Sequence, residues 1–566
     1  MDETRGQSQV TKQAGGMKLA LSGRKLRDLR EYLTAYLMIS PAALLILVFG
    51  IFPVLFAVFV SVHKWRIVRS DYIGVENYVK AIGNAAYVIM FLLGLGALAG
   101  FVIGLRRLIQ DIREGSPLAY GLALPGLIHS VTVVAFLRYV WLQLPEFLDI
   151  ADKLRGQERT RELFQQLLSD AFTVPEVHSA WRLFVMILLG ALVLGIASTL
   201  LYRSAGNLGF QARFASLWLG LGAGAAMLWY TYSQIAAVYA QAMETGEDPG
   251  IWPQFVTLTS GVLLLVAAWF VWRSASGEES NWRFWGRILA ASALLVGGWL
   301  LIGEIPTIIA AGDKDLWSGL KVTVFFSLGT VPLQLSLAML LAILLFQKLR
   351  GSAAFRMIFF IPYVTPFIAS AAIFRQLFAN RDTSPINLVI RGLGGEGLAW
   401  LQESKGVFDI IGQRLGVDVP LWLAGPSLAL VVIIIHSVWT YVGYDTVIYL
   451  AGLANIPLEL NEAAEIDGAN KWDVFRYITF PLLSPTTYFL SLLAIIGTFK
   501  AFTSLWVFRE SLALGTTDTF SVTIFVEFFE KLQYGYASAM AFILFLIILT
   551  LTVINNRVQG TRVFYG

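Results

Sequence analysis

The chain has 566 residues, of which 57% are hydrophobic and only 14% are charged, and its mean hydropathy is +0.68. A soluble domain needs far more polar surface, so the composition excludes a soluble globular protein and indicates a polytopic membrane protein. The sequence contains no cysteine, which excludes disulfides, thiolate metal sites and thiol nucleophiles. The net charge of +4 is small, so the positions of the basic residues are more informative than their sum.

Apolar stretches of roughly 20 residues, the length that a membrane-spanning helix needs, recur along the chain. They follow a polar N-terminal segment without a visible cleavable signal, in which Arg24, Lys25, Arg27 and Arg30 favour a cytoplasmic location. The pattern predicts twelve spans, at 35–62, 86–105, 118–142, 182–202, 214–240, 253–273, 287–310, 319–346, 357–379, 427–452, 486–508 and 536–556. We therefore expect an all-α polytopic membrane protein.

Basic residues mark every second loop between these spans. They are Arg106, Arg107, Arg113, Arg203, Arg213, Arg273, Arg283, Arg287, Lys348, Arg350, Arg356, Lys471 and Arg476, followed by Arg557 and Arg562 in the tail. Positive residues favour the cytoplasmic side of a membrane. The alternation therefore predicts a multi-pass membrane protein with both termini in the cytoplasm.

Two predicted spans carry polar and aromatic side chains near mid-membrane. They are Trp439, Thr440, Tyr441, Tyr444 and Asp445 in span 427–452, and Thr498, Phe499, Lys500, Phe502, Thr503 and Trp506 in span 486–508. Aromatic faces beside hydroxyls suit a sugar, whose C–H faces stack on rings while its hydroxyls need hydrogen-bond partners. Alternatively, these aromatic residues pack the helix bundle or form an interfacial belt. Asp445 and Lys500 indicate paired or wetted charges, since a charge at membrane depth is otherwise costly.

A polar, helix-forming segment lies between these two spans. Its best helix formers run from Leu458 to Ile466 after Pro457, and Gly468 stands where a helix usually ends in a left-handed turn. Asn470 can cap a second short helix, with Asp473 in the position of a capping-box acid. A helix–glycine–helix unit on a membrane domain is suited to contact by a partner outside the membrane.

The residues around this segment follow a characteristic order: Ala451, Gly452, Leu453, Ile456, Pro457, Glu462, Ala463, Ala464, Asp467, Gly468, Ala469, Phe475, Ile478, Pro481, Leu482, Leu483 and Pro485. In this order they resemble the EAA loop of ABC importer permeases, and most of all that of the MalF-like sugar permeases. Further similar segments are Leu349–Val364, Trp439–Tyr444 and Ile73–Tyr78. The resemblance covers roughly residues 30–83 and 313–566.

The resemblance implies a type I ABC importer permease core whose loop 453–483 couples it to an ATPase. It assigns ATPase coupling to Glu462, Ala463, Ala464, Asp467, Gly468 and Ala469. It assigns substrate binding to Thr440, Tyr441, Tyr444, Gly497, Thr498 and Ala501. The sequence departs from the family at Glu510–Gly515, where Gly-Gly-Pro is usual, and also in much of the substrate-contact set, so the identity of the substrate does not transfer.

By the same resemblance, the chain is the permease subunit of an ATP-driven sugar importer. Its partners would be a second, related permease, an ABC ATPase dimer and an extracytoplasmic substrate-binding protein, all working at the lipid bilayer. The sequence has no G-x-x-x-x-G-K-[ST] loop, so ATP and Mg are expected on the partner ATPase and no cofactor on this chain.

Catalysis and metal binding find little support. The histidines, His63, His129, His178 and His436, are scattered without metal-ligand spacing, so we expect no metal site and no catalytic residues. His436 lies in a predicted span, where an interhelical hydrogen bond is the expected role. We expect no nucleic-acid partner.

About six predicted spans interrupt the resemblance. In the family, the segment that Gly74–Tyr78 resembles is soon followed by the next core span, whereas here residues 84–312 intervene before Asp315–Lys321 resumes the pattern. The predicted organisation is a cytoplasmic tail at 1–34, a first core span with an external segment at 35–83, an inserted transmembrane segment at 84–312, and the permease core at 313–566.

Two features of the inserted segment carry structural expectations. Its small residues Gly94, Gly96, Gly100, Gly220, Gly222 and Gly224 predict close helix packing, either against the core or against another subunit. Its polar stretch 146–179 alternates charged residues with leucines and predicts an external amphipathic helix.

Other functions stay open on the sequence. A polyol or glycerol phosphate would suit the same importer architecture. An ion-coupled secondary transporter would favour internal repeats and acidic residues at mid-membrane, where only Asp445 qualifies. A membrane scaffold or an enzyme formed by the inserted segment is a third alternative, which no catalytic constellation supports.

Overall fold

The computed structural model describes residues 23–66, 69–115, 117–158, 160–201, 207–246, 249–275, 281–303, 312–347, 350–420, 423–513 and 515–559. The chain divides into two compact units. The core unit comprises Met1–Asn77 and Asp315–Gly566, and the inserted unit comprises Tyr78–Lys314. Most of the tail predicted at 1–34, the end of the span predicted at 287–310, and Arg203, Lys348 and Arg562 lie outside the described residues.

Helices make up nearly all of the described structure. In the first part of the chain they are α1 (Gly23–Ile46), a π-helical turn (Leu47–Ile51), α2 (Phe52–Ser61), α3 (Glu76–Ile82), α4 (Ala85–Gly115), a 3₁₀ turn (Pro117–Leu122), α5 (Ala123–Lys153), α6 (Arg161–Thr173), α7 (Pro175–Leu201), α8 (Asn207–Thr245), α9 (Ile251–Ala275) and α10 (Asn281–Ile302). Strands β1 (His63–Trp65) and β2 (Arg69–Tyr72) form an antiparallel hairpin after α2.

The second part of the chain adds the helices of the permease core. They are α11 (Lys314–Phe346), α12 (Ser352–Val364), α13 (Phe367–Leu377), α14 (Pro385–Gly392), α15 (Val407–Leu415), α16 (Leu428–Ala454), α17 (Leu458–Ile466), α18 (Lys471–Val474), α19 (Phe480–Leu482), α20 (Ser484–Phe499), α21 (Thr503–Phe508), α22 (Phe520–Phe525) and α23 (Tyr534–Gln559). Short 3₁₀ turns lie at Trp400–Gln402 and Ser511–Ala513, and π-helical turns at Phe475–Thr479 and Val526–Glu530.

The membrane-spanning helices confirm an all-α polytopic protein but modify the predicted count of twelve. Among the described residues, nine helices are long and apolar enough to cross a membrane, or up to eleven if each of two bent helix pairs is one span. The predicted span 214–240 lies inside α8, which is 39 residues long but is not among those nine. Polar residues such as Thr231, Ser233 and Gln234 dilute its apolar character.

Two predicted spans are not straight helices. The span predicted at 357–379 is bent by 94° between α12 and α13. Pro366 causes this bend, because proline lacks an N–H and forces the preceding Thr365 into an extended conformation, with ψ at 134°. The span predicted at 486–508 is wrong as one helix, since α20 ends at Phe499 and α21 begins at Thr503.

Helix α16 forms the centre of the core unit. One hydrophobic cluster packs around its first half and includes Phe326 of α11, Ile433 and Phe508 of α21. A second cluster packs around its second half and includes Leu335 of α11 and Tyr449. Because α16 is apolar over most of its circumference, its polar side chains on one face stand out as candidates for function.

The hairpin after α2 is fixed by the segment that resembles the family. Gly74 adopts a left-handed conformation, with φ at 60°. Asn77 then donates hydrogen bonds to the carbonyl oxygens of Ser61 (2.8 Å) and His63 (3.2 Å). A Cβ on Gly535, near the start of α23, would overlap the His63 carbonyl oxygen, so glycine permits α23 to approach the hairpin.

Glycines hold the helices of the inserted unit together. A Cβ on Gly94 of α4 would lie 3.2 Å from the carbonyl oxygen of Gly224 in α8. Gly261 of α9 and Gly298 of α10 form a second close contact of the same kind. Both contacts lie within the inserted unit, whereas Gly96, Gly100 and Gly222 face open space. Gly94 and Gly224 therefore pack closely as predicted, but they pack on each other within the inserted unit.

The inserted unit also contains a short polar helix and a contact between residues near its start and its end. The polar stretch 146–179 is not one helix, since it comprises the end of α5, the separate helix α6 and the start of α7. Thr160 caps α6 by accepting from the Leu163 N–H (3.2 Å). The N–H of Asp313 donates to the carbonyl oxygen of Ala81 (3.3 Å). The chain therefore enters and leaves the inserted unit at adjacent positions.

Candidate functional site

A cavity of about 460 Å³ lies inside the core unit. Six helices contribute to its wall, namely α11, α12, α13, α16, α20 and the start of α21, together with the break between α20 and α21. Its polar and aromatic lining consists of Phe326, Thr330, Gln334, Tyr363, Phe367, Ser437, Tyr441, Tyr444, Asp445, Thr498, Lys500, Phe502, Thr503 and Ser504. A cavity of this size and mixed lining is suited to a small polar ligand.

Three tyrosines form an aromatic surface on one side of the cavity. Tyr363 of α12 stacks on Tyr444 of α16, with ring centroids 4.6 Å apart and planes at 21°. Tyr363 also meets Tyr441 edge to face, with centroids 5.9 Å apart. A Cβ on Gly443 would lie 2.5 Å from the carbonyl carbon of Phe359, so only glycine lets α12 come close enough to α16 for this stacking.

A buried carboxylate, hydrogen-bonded to an amide, lies beside the tyrosines. The Nε2 of Gln334 donates to Oδ2 of Asp445 over 2.6 Å, and both side chains are buried. Lys500 is exposed and lines the same cavity at the C-terminal end of α20. The sequence predicts that Asp445 and Lys500 are each paired or in contact with water. Asp445 is paired with Gln334, and Lys500 lies at the cavity.

The six residues to which the resemblance assigns substrate binding fall into two groups. Tyr441, Tyr444, Gly497, Thr498 and Ala501 line the cavity. Thr440 does not, because it is buried and its hydroxyl donates to the carbonyl oxygen of His436 (2.8 Å). Whether the five contact a substrate stays a prediction.

The hydroxyl of Thr498 has a structural role in the cavity wall. It lies 2.9 Å from Oγ of Ser327 in α11 and 3.0 Å from the carbonyl oxygen of Ile495. This side chain thus links α20 to α11, and only its remaining lone pair is available to a ligand.

Sequence reasoning missed the cavity residues on other helices, above all Gln334, Tyr363 and Thr330. A polar Gln334 inside an apolar span was a usable signal, since such residues are costly in a membrane unless they have a function or a partner. No local signal places Tyr363 against Tyr444, because the contact depends on the bend at Pro366 and on Gly443.

His436 has the interhelical hydrogen bond that the sequence predicts. Its Nε2 lies 3.0 Å from Oγ of Ser370 in α13, and the ring is fully buried. Phe367, Phe374 and Phe508 surround the ring at centroid distances of 4.8, 4.8 and 5.1 Å. His436 therefore holds α13 and α21 against α16.

An ion pair joins the helices where the sequence departs from the family pattern. Arg375 of α13 pairs with Glu510 and also donates to the Val507 carbonyl oxygen (3.1 Å). Arg509 makes a bidentate contact with Asp518 (3.1 Å to each oxygen). These pairs tie α13 and the segment after α21 into one end of the core unit.

The second candidate site is the loop between α16 and α20, and its helices begin and end as predicted. Helix α17 spans Leu458–Ile466, and Gly468 has φ at 84°. The N–H groups of Gly468 and Ala469 donate to the carbonyl oxygens of Glu465 (3.1 Å) and Ala464 (2.9 Å), which is the Schellman ending. Asn470 and Asp473 form the predicted capping box of α18.

The surface of this loop is both acidic and apolar. Glu462, Ala463, Asp467 and Gly468 are exposed, whereas Ala464 and Ala469 are partly covered. Large apolar side chains are exposed next to them, with Ile466 at 86% and Trp472 at 63%. Exposed apolar side chains on a loop between membrane spans are typical of a surface that contacts another protein.

No group of three or more His, Cys, Asp and Glu residues in the described part of the chain could hold a metal ion.

Residues 334–562 match the family model described as "Binding-protein-dependent transport system inner membrane component". The chain is 33% identical over 258 residues to the probable ABC transporter permease protein YesP of Bacillus subtilis (strain 168), covering 45% of this chain and 75% of that protein. It is 30% identical over 249 residues to the trehalose/maltose transport system permease protein MalF of Thermococcus litoralis, covering 44% and 76%.

A third relative is the sn-glycerol-3-phosphate transport system permease protein UgpA of Agrobacterium fabrum, 30% identical over 264 residues that cover 45% of this chain and 79% of that protein. The matched region of the family model lies wholly inside the core unit and contains the cavity residues from Gln334 onward and the whole of the exposed loop. The chain therefore belongs to the binding-protein-dependent transport system inner membrane components and is a permease of the ABC transporter class.

Proposed function

We propose that this permease carries a sugar through the core unit, and that the cavity around Tyr363, Tyr441 and Tyr444 holds it on the way. The observation that supports this most is the stacked tyrosine surface beside hydrogen-bonding groups, which matches the alternating apolar and hydroxyl character of a sugar. A relative of this chain is named for trehalose and maltose transport, which agrees with the same substrate class.

Glycerol phosphate is the second candidate, since another relative is named for it. A phosphate-binding cavity needs several positive groups or free backbone N–H groups. Among the described residues that line the cavity, Lys500 is the one cation, and the carboxylate of Asp445 lies in the same cavity. This charge balance favours a neutral sugar over a phosphate ester.

ATP hydrolysis is proposed to take place on a separate ABC ATPase dimer that binds the loop 453–483. The exposed acids Glu462 and Asp467 beside Ile466 and Trp472 support this contact. Closing the ATPase would shift α17 and move the core helices between inward and outward access, driven by its different fit to the two states. A second permease and an extracytoplasmic binding protein complete the proposed importer, which lies in the inner membrane with both termini in the cytoplasm.

Uptake measurements test the substrate. The permease, reconstituted with its partner subunits, is given labelled maltose, trehalose and sn-glycerol 3-phosphate. We expect uptake of a sugar, and Tyr444→Ala should reduce it roughly tenfold, because losing an aromatic contact costs on the order of 1 kcal/mol beyond lost area. Tyr488→Ala is the control, since the Tyr488 hydroxyl bonds Asn556 away from the cavity.

The substrate proposal is wrong if glycerol phosphate is transported in preference to all sugars tested. Equal uptake by Tyr444→Ala and the unmodified protein would place the sugar outside this cavity. Uptake that continues without ATP but follows a proton or sodium gradient would favour a secondary transporter instead.

Coupling is tested separately at the loop. Glu462→Ala should lower substrate-stimulated ATP hydrolysis, because removing one partner of a buried interface charge pair costs about 2–5 kcal/mol. Glu459→Ala is the matched control, as an equally exposed acid in the first turn of the same helix. If both variants hydrolyse ATP normally, α17 does not carry the coupling contact through Glu462.

A further inference from the structure

The inserted unit contains two arginines in candidate membrane-spanning helices that have no partner among the described residues. Arg138 lies in α5, near the end of the predicted span 118–142, and Arg182 lies in α7 at the start of the predicted span 182–202. Both helices are long and apolar enough to span a membrane. A charge in such a helix is costly unless something neutralises it.

The two arginines lie at the same level on adjacent helices. Helices α5 and α7 pack along each other. The rings of Tyr139 and Trp181, each next to one of the arginines in sequence, have centroids 5.0 Å apart. Arg138 and Arg182 both line an open groove of about 610 Å³, whose other lining residues all belong to α7, and both arginines are exposed.

The groove lies where an apolar surface meets a polar one. Below the arginines, the outer faces of the two helices expose large apolar side chains, such as Leu137 at 58% and Met186 at 64%. Beyond them, α6 and the ends of α5 and α7 carry charged residues. Tyr139 and Trp181 at this level are typical of the interface between the hydrocarbon and the headgroups.

Several acids lie at the polar end of the unit, including Glu162 and Asp170 of α6 and Glu176 of α7, but none of the described acids forms an ion pair with Arg138 or Arg182. Glu146 pairs with Lys153 (4.0 Å), and Asp152 pairs with Arg155 (3.3 Å). The neutralising charge for Arg138 and Arg182 therefore has to come from outside the described chain. At this depth, the anion that lipid itself supplies is the phosphodiester of a headgroup, which guanidinium groups bind bidentately.

We propose that the groove between α5 and α7 binds the headgroup of an anionic phospholipid. Arg138 and Arg182 contact the phosphate, and the apolar faces below them contact the acyl chains. This site is independent of the proposed sugar transport, because its residues belong to the inserted unit and its test measures lipid binding.

The test uses the full chain, purified in a neutral detergent and stripped of lipid. Phosphatidylglycerol or phosphatidylcholine with the same acyl chains is added, and bound lipid is counted by native mass spectrometry. Two arginines at a membrane surface should favour the anionic lipid by roughly 30-fold. The double variant Arg138→Gln/Arg182→Gln should lose this preference.

Two further variants distinguish the site from general charge and from misfolding. Arg155→Gln/Arg161→Gln removes two exposed arginines from the polar end of the same unit and should keep the preference. Arg138→Lys/Arg182→Lys retains both charges and should keep most of the preference for phosphatidylglycerol. This variant can be measured even if the glutamine variant fails to fold.

Three results would overturn the proposal. The unmodified chain could bind both lipids equally, or a folded double glutamine variant could keep the full preference. Displacement of phosphatidylglycerol by millimolar inorganic phosphate would assign the groove to a soluble anion instead of a lipid.

Discussion

The core unit and the inserted unit pack their membrane helices differently. In the most apolar window of each spanning helix, 61% of the residues of α16 and 39% of those of α11 are buried. The outer spans of the core unit, Arg30–Ser61 and α23, are 11% and 22% buried, like the spans of the inserted unit at 11–28%. The core unit breaks its helices at Pro366 and after Phe499, and its cavity lies beside these breaks. The inserted unit keeps long helices joined by glycine contacts.

This difference indicates where function can reside. Broken helices free backbone groups and admit polar side chains, which a membrane tolerates only where they are buried in protein or line a wet cavity. In the inserted unit the helices are continuous, a buried polar side chain such as Gln211 bonds to Ser198 of the same unit, and the arginines without a partner lie at an exposed groove. The comparison therefore favours transport in the core unit, whereas the proposed lipid site lies in the inserted unit.

The strongest test of this comparison is Gly443→Leu in the core unit. The new side chain would collide with the backbone at Phe359, push α12 away from α16 and separate Tyr363 from Tyr444. We expect loss of uptake and a destabilisation of about 3 kcal/mol, the upper end for overpacking, measured by thermal unfolding. Gly222→Leu is the control, since nothing lies within 4 Å of a Cβ there. Normal uptake by Gly443→Leu would show that the tyrosine stacking is dispensable.

The corresponding change in the inserted unit is Gly94→Leu. Its side chain would collide with Leu228, 3.0 Å from the new Cβ, and with the Gly224 backbone. We expect a destabilisation of about 1–3 kcal/mol with sugar uptake retained. Gly96→Leu, two residues away and facing open space, should change neither quantity. If Gly94→Leu abolished uptake without unfolding the protein, the inserted unit would belong to the transport mechanism.

Removing residues 82–312 tests directly whether the core unit transports without the inserted unit. Because Ala81 and Asp313 are hydrogen-bonded to each other, a short polar linker can join them. The shortened chain should still bind the ATPase and transport sugar within about threefold of the full chain, as expected for independent regions. A shortened chain that assembles normally but transports nothing would make the inserted unit a gate or a docking site for the binding protein.

The smallest expected effect concerns a single hydrogen bond in the cavity wall. Thr498→Val removes the hydroxyl that lies 2.9 Å from Ser327 and should destabilise the core unit by about 1 kcal/mol. Thr550→Val is the control, because the Thr550 hydroxyl bonds only within its own helix and is exposed. Equal unfolding midpoints for the two variants would show that α11 and α20 do not depend on this contact.

Local features were predictable from the sequence, because their causes lie within a few residues. The bounds of α17, the left-handed Gly468 and the capping box of Asn470 and Asp473 all follow from propensities and spacing. The spans were predictable as apolar stretches for the same reason. The break after Phe499 was not, since no proline or glycine stands at Lys500–Phe502, and the lysine itself was the one signal.

The composition of the cavity was only partly predictable. The residues on α16 and α20 stood out as polar groups in apolar spans, but Gln334 and Asp445 are 111 positions apart in sequence. One sequence shows no sign of such a pairing, which arises when α11 packs on α16. Thr440 has the right chemistry but faces the core, because its hydroxyl is taken by the backbone of its own helix.

The first span has a further consequence for how the protein is made. Helix α2 packs against α23, the last helix of the chain, which is synthesised roughly 470 residues later. At about 5–20 residues per second, the first span waits on the order of half a minute to a minute and a half for this neighbour. It must therefore persist alone in the bilayer, held by its own hydropathy of 3.0, the highest among the described spans. Assembly of the core unit can be completed only after α23 has been made.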